Sequence, residues 1–441
     1  MRWVLILYTL PINQIPDVMK TIVKFLVIAI ILTSSFSCSD KIEETYTLNT
    51  PEYMSYDDLR NSFQMKSAQV ILQPGKIYFK DDFIFVNEYL KGIHIINNSN
   101  PENPEKVTFL EIPGNIDMAI KGNMLYADSY IDLLTIDISD MNNIVEVDRD
   151  EEVFPYTIPE IREGVAYGID AQKGVITGYT VTTETVEIKG DDISYQFFPA
   201  WESSFVAVDA MNGSKISSSG AGTGGSMARF TLYDDYLYAI DNASLHLFDV
   251  SDNTNPNRMK QIAISWQIET LFPYDEKLFI GAQNGMFIYS LQNPANPEFI
   301  SEFRHATACD PVVVEGDYAY VTLRGGNLCG AIESQLEVIN ISNIESPQML
   351  KSYPMKEPYG LGIDDEVLFV CDGYEGLKIY NAADPMTLAA NQIAHYPTVD
   401  AFDVIPLGEI LLLIGEDGLY QYDYSDLDNI KQLSHIRING M

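Results

Sequence analysis

The sequence is poor in basic side chains, in histidine, in cysteine and in long apolar runs. Lys and Arg total 27 against 63 Asp and Glu, a formal net charge of −36 over 441 residues. Phosphate recognition depends on Lys and Arg, so this balance argues against a nucleic-acid partner, and equally against adsorption to an anionic membrane surface. The five histidines (His94, His246, His305, His395 and His435) stand in no metal-ligand spacing such as H-E-x-x-H, and no two of the four cysteines are two or three residues apart. No G-x-S-x-G nucleophile elbow occurs. Motifs therefore name no catalytic residue, no metal site and no cofactor. No unbroken apolar run approaches the roughly 20 residues of a membrane-spanning helix, and no helical apolar period is sustained. At 46% hydrophobic and 20% charged, the chain is nonetheless too apolar for a disordered acidic segment and can bury a large core.

What is present begins with an address. Lys20 and Lys24 precede an apolar run at 25–32 (FLVIAIIL), followed by Ser35, Ser37 and Cys38. This resembles the lipobox of bacterial lipoprotein signal peptides, with Ser35 replacing the usual aliphatic residue, a departure met in Bacteroidetes-type sequences. The resemblance implies a signal peptide over 1–37 and an acylated Cys38, and hence a chain lipid-anchored in the cell envelope, at the outer membrane of a Gram-negative bacterium. A start at Met19 would make residues 1–18 an upstream extension. Residues 38–67, polar and acidic with few strand signals, read as a tether.

From there on the pattern has period two, the signature of strands. One strand recurs as FIFV (83–86), MLYA (124–127), YLYA (236–239), KLFI (277–280), YAYV (318–321), VLFV (367–370) and ILLL (410–413), each after a tight turn rich in Asp and Gly. A second strand follows and ends near Asn97, Asp137, Asp249, Ser290, Asn340, Asn381 and Asp423, with another Asn or Asp three residues later each time. Asx side chains at such positions cap a bend. The spacings between these ends are 40, 112, 41, 50, 41 and 42 residues. With one strand before and one after each pair, the unit is a four-stranded blade, and the fold class is all-β: a β-propeller over 68–441. Seven blades are expected. An eighth, degenerate blade inside the long gap at about 156–228 is the alternative to an inserted hairpin between blades two and three, expected at 174–188. The Gly- and Ser-rich run at 217–226 reads as a flexible linker rather than a phosphate cradle, since no Lys-Ser/Thr follows it. Ring closure could use 68–72 as an outer strand of the last blade.

The segments LTIDISD (134–140), LFDVSD (247–252) and LEVINISN (336–343) resemble the LVIVD-repeat family of secreted and surface-anchored bacterial proteins. The resemblance implies a propeller and no particular chemistry.

In a propeller the turn after the second strand of a blade lies on the same rim as the connection into its first strand. Polar residues gather near that turn: Glu88, Asp128, Asp241, Arg324, Asp372 and Glu416, with Tyr89, Tyr130, Tyr359 and Tyr374 on or near the same rim. Converging carboxylates could bind a divalent cation, an amine or a basic partner; Asp and Gly simply making good turns is the plainer reading. Cys309 and Cys329 fall on one rim of the fifth blade and could form a disulfide that leaves Cys371 a buried thiol, against the alternative of three free thiols. Function stays open among a non-catalytic module binding an envelope protein or glycan, a hydrolase or lyase using rim carboxylates, and a structural part of an envelope complex.

Overall fold

The structure is a computed structural model describing residues 42–159, 161, 164–166, 168–188, 223–304, 311–325 and 333–438. Among the described residues, seven antiparallel sheets of consecutive strands form the blades of a propeller. Blade 1 comprises Pro74–Lys80, Phe83–Glu88, Gly92–Asn97 and Glu105–Glu111, and blade 2 Met118–Lys121, Met124–Ser129, Asp132–Asp137 and Val145–Asp150. Blades 3 to 7 span 230–263, 268–304, 312–354, 361–396 and 401–437. The innermost strands of neighbouring blades adjoin. Inner strands are buried on both faces, which is why they read as unbroken apolar runs, whereas an outermost strand such as Asn257–Ala263 is largely exposed.

The repeat's polar signature has a structural counterpart. Asn97, Asp137, Asp249, Asn340, Asn381 and Asp423 each accept the N–H two residues ahead at 2.8–3.0 Å, and the Ser290 hydroxyl does so at 3.3 Å. In all seven blades a bulge sits one residue before that bend, between the third and fourth strands. A bulge increases right-handed twist, so its recurrence turns each blade in the same way.

Three segments differ from the sequence expectation. Among the described residues no eighth blade forms: Val165–Ala166 pairs parallel with Leu48 and Asn49. From residue 42 onward the stretch expected as a tether is an ordered leader of strand, helix and strand. Its strand Ile42–Met54 pairs antiparallel with Val175–Ile188, so the inserted segment gives one long strand whose partner lies in the leader, not a hairpin of its own. A short helix, Tyr56–Arg60, follows, capped by the Ser55 hydroxyl. Its Leu59 packs on Ile131 and Val175, and Asp132 receives Arg60 and Arg149, fastening the leader to blade 2. Gln64–Ser67 then adds a fifth strand outside Glu105–Glu111 of blade 1.

Residues 68–72 therefore form no strand of blade 7, which is built from Ala401–Arg437 alone. Side chains close the ring instead. Ile77 and Ile84 pack with Ile405 and Leu412, and the Asn98 and Gln421 amides exchange bonds of 2.9 and 2.7 Å.

The central channel is also filled. Thr223–Gly224 pairs with Tyr78 and Phe79, Ser226 Oγ accepts the Leu361 N–H at 3.0 Å, and the Ala228 carbonyl accepts from Leu271. The end of the run expected as a linker thus spans from blade 1 to blades 4 and 6. Lys76, fully buried, donates to Asp117 at 3.1 Å and to the Met227 carbonyl at 2.7 Å, holding the plug.

Candidate functional site

The polar residues expected at the rim divide into two groups by what their carboxylates touch. Glu88 accepts the N–H groups of Leu72 and Gln73 at 2.9 Å each, and Asp128 those of Ile116 and Asp117 at 2.8 and 2.9 Å. Asp372 accepts those of Lys356 and Glu357 at 2.9 and 2.7 Å. In each case the acceptor ends the second strand and the donors belong to the connection entering the same blade. The carboxylate ties that connection to its own blade. Asp241 grips its own turn, through Ala243 and Ser244 at 2.7 and 2.8 Å.

Three of these carboxylates also meet a His or Lys side chain on the third strand. His94 lies 3.1 Å from Glu88, His246 lies 2.7 Å from Asp241, and Lys378 bonds Asp372. Although burial pushes upward on Glu88, the bonds from His94, Leu72 and Gln73 outweigh it and hold the carboxyl at about 2. Asp128 has no such partner on its third strand, and burial raises it to about 6. These four acids are buried and engaged with their own chain.

Blades 5 to 7 present another arrangement. The Arg324 guanidinium lies 4.2 Å over the Tyr359 ring, whose hydroxyl donates to Glu357 at 3.1 Å and whose edge meets Phe402 at 5.3 Å. Beside them, burial and then the hydrogen bond that a protonated Asp400 donates to the neighbouring Glu416 carboxylate raise Asp400 to about 6. Glu416 and Asp417 are exposed, and Tyr374 is 58% exposed. Tyr89 and Tyr130 are half-buried, Tyr130 packing against Ile131, Leu59 and Val175. The structure thus places Arg324, Tyr374 and Glu416 around one stretch of rim and leaves Glu88, Tyr89, Asp128, Tyr130 and Asp241 out of it.

Sequence reasoning missed Glu357 and Asp400. They lie on the connections between blades, whose lengths vary and which the repeat alignment does not cover. Among the described residues no group of His, Cys, Asp and Glu is arranged to hold a metal ion. Cys371 is a buried free thiol raised by burial, while Cys38, Cys309 and Cys329 lie outside the described residues.

The chain matches the LVIVD repeat model over residues 116–149, 224–263 and 307–354. A search of curated proteins found no match. Among solved structures, the chain is similar to the periplasmic gluconolactonase PpgL of Pseudomonas aeruginosa. The identity is 10%, with coverage of 82% of this chain and 96% of that one and a TM-score of 0.48. It is also similar to BamB from Moraxella catarrhalis, at 7% identity, 80% and 82% coverage and a TM-score of 0.46. Likeness at this level concerns the fold alone.

Proposed function

We propose that this LVIVD-repeat β-propeller is held at the cell envelope by an acylated Cys38 and binds a protein or glycan there through the rim of blades 5 to 7, without catalysing a reaction. The observation carrying this reading is the division along one rim. Four acids are spent on their own backbone, whereas Tyr374, Glu416 and Asp417 stand at the surface beside the Arg324–Tyr359 stack. Tyr and Arg combine apolar area with polar tips and are enriched in recognition surfaces. A long-term partner there would make the chain a structural part of an envelope complex.

The test is capture of envelope proteins and of a glycan panel by the purified chain, with Tyr374→Ala and Glu416→Gln beside it. Loss of a specific partner in both variants supports the reading; equal capture by all three overturns it. Cys38→Ala should release the chain from the membrane fraction, and unchanged fractionation would refute the anchor.

One observation favours a second reading. A carboxyl raised to about 6 beside a second carboxyl, as in Asp400 and Glu416, is the pairing that glycoside hydrolysis uses for a proton donor and its partner. Turnover of a glycan that Asp400→Asn abolishes while binding persists would establish the enzyme.

A further inference from the structure

The His–carboxylate pair occurs at the same repeat position in blades 1 and 3 with different surroundings. In blade 3, Phe154 lies edge-on to His246 at 5.5 Å, and His246 is 1% exposed. In blade 1, His94 packs against Phe109 at 4.7 Å but also borders a cavity of about 240 Å³. The cavity is roofed by the leader, through the added strand Gln64–Ser67 and residues 69–72, a covering that among the described residues only blade 1 has. Its volume equals roughly eight water molecules at their liquid share of space, enough for a small organic molecule and too little for a sugar chain.

The lining has two characters. Val70 and Leu72, 52% and 51% exposed, are among the most exposed large apolar side chains of the leader, and both border this cavity with Leu90. Lys66 and Lys91 supply positive charge, and Glu88 and Glu111, which border the cavity too, supply negative charge. Lys91 is not needed by its neighbour: Glu88 already accepts two N–H groups at 2.9 Å and faces His94 at 3.1 Å, while Lys91 stands at 3.4 Å and is half-exposed. Lys66 pairs with Glu111 at the outer edge. An anion entering the cavity would find a lysine whose present contact is long and an acid that stays satisfied when that contact is given up.

We infer that this cavity binds a small organic carboxylate, its charged head on Lys91 and its apolar body against Leu72, Leu90 and Val70. Such a ligand would join the leader to blade 1, because Leu72 and Val70 belong to the leader and Lys91 to the blade.

Calorimetric titration of the purified chain with benzoate tests this, against benzylamine, which keeps the ring and reverses the charge, and acetate, which keeps the charge and lacks the body. Benzoate should bind with a dissociation constant of roughly millimolar or tighter. Lys91→Gln should weaken it about tenfold, the loss of one charge-assisted contact, and Leu72→Ala a few-fold. Benzylamine and acetate should bind more weakly than benzoate, and benzoate should slow amide hydrogen exchange across 64–72. Lys91 is half-exposed, so its variant should melt where the parent does, separating lost binding from lost folding. Benzylamine binding as tightly as benzoate, unchanged affinity in Lys91→Gln, or no benzoate heat at ~10 mM would each overturn the assignment.

Discussion

Blades 6 and 7 each carry an acid directly after the second strand and put it to different uses. Asp372 is fully buried, accepts two N–H groups of the incoming connection and bonds Lys378. Glu416 is exposed, and the side chain it meets is another carboxyl, Asp400. What differs is the surroundings. Blade 6 offers unpaired backbone donors and a lysine on its third strand; at the register position of Lys378, blade 7 has Tyr420. An acid given donors becomes part of the scaffold, and one given another acid is left with chemistry to spare.

The largest expected effect breaks this comparison directly. Asp372→Ala strands Lys378 and two N–H groups and should cost about 3–5 kcal/mol, whereas Glu416→Ala should stay within about 0.5 kcal/mol. Denaturant unfolding of both variants measures the gap, and equal losses would show that the two positions are not functionally split. Next in size is ring closure. Gln421→Ala leaves the Asn98 amide buried without its partner in the neighbouring blade, and should cost about 2–3 kcal/mol with a raised unfolding rate.

Smaller, but opposite in sign, are two pH effects. Glu88 is held at about 2, below its ordinary 4.5, so its contribution is complete above about pH 4.5 and vanishes as pH falls through 2. Glu88→Gln should therefore cost about 1–2 kcal/mol at pH 7, after discounting for solvent, and almost nothing near pH 2. Asp400 is raised from 3.8 to about 6, so it binds its proton more tightly when folded, and it penalises the fold as pH rises through 4–6. Asp400→Asn should gain stability at pH 7 and change little below pH 4. Melting temperatures of the two variants across pH 2–8 should diverge from the parent in opposite directions; parallel curves would mean that the two acids do not differ as their surroundings imply. The smallest effect on stability is at Tyr374, where alanine should shift unfolding by less than about 0.5 kcal/mol yet weaken capture of the partner. A large loss of stability there would make it a scaffold residue.

Much of the architecture was legible in the sequence because it is local and repeated. The Asx residues from Asn97 to Asp423 each close a bend two residues long, and apolar strands such as VLFV report burial on both faces. The leader was not legible, since Ile42–Met54 finds its partner in Val175–Ile188, more than a hundred residues away, and nothing in either strand's polar, threonine-rich pattern names the other. The end of the Gly-rich run was misread for a related reason: Gly224–Ser226 carries no apolar period, yet the narrow space between the inner strands admits small residues with buried backbone contacts.

The sequence by itself determined the four-stranded blade and its repeat, because strand period, turn chemistry and repeat length act over fewer than 50 residues. It left seven blades against eight to the pairing of 165–166 and 175–188 with 42–54. Only the tertiary structure decided which acids are free. Whether a carboxylate is engaged depends on the donors brought to it by the connection into its blade and by the third strand, as Leu72, Gln73 and His94 are brought to Glu88. It decided the plugged channel and the leader's cavity on the same ground. Both arise where segments distant in the chain meet an apolar surface that the repeat alone leaves open.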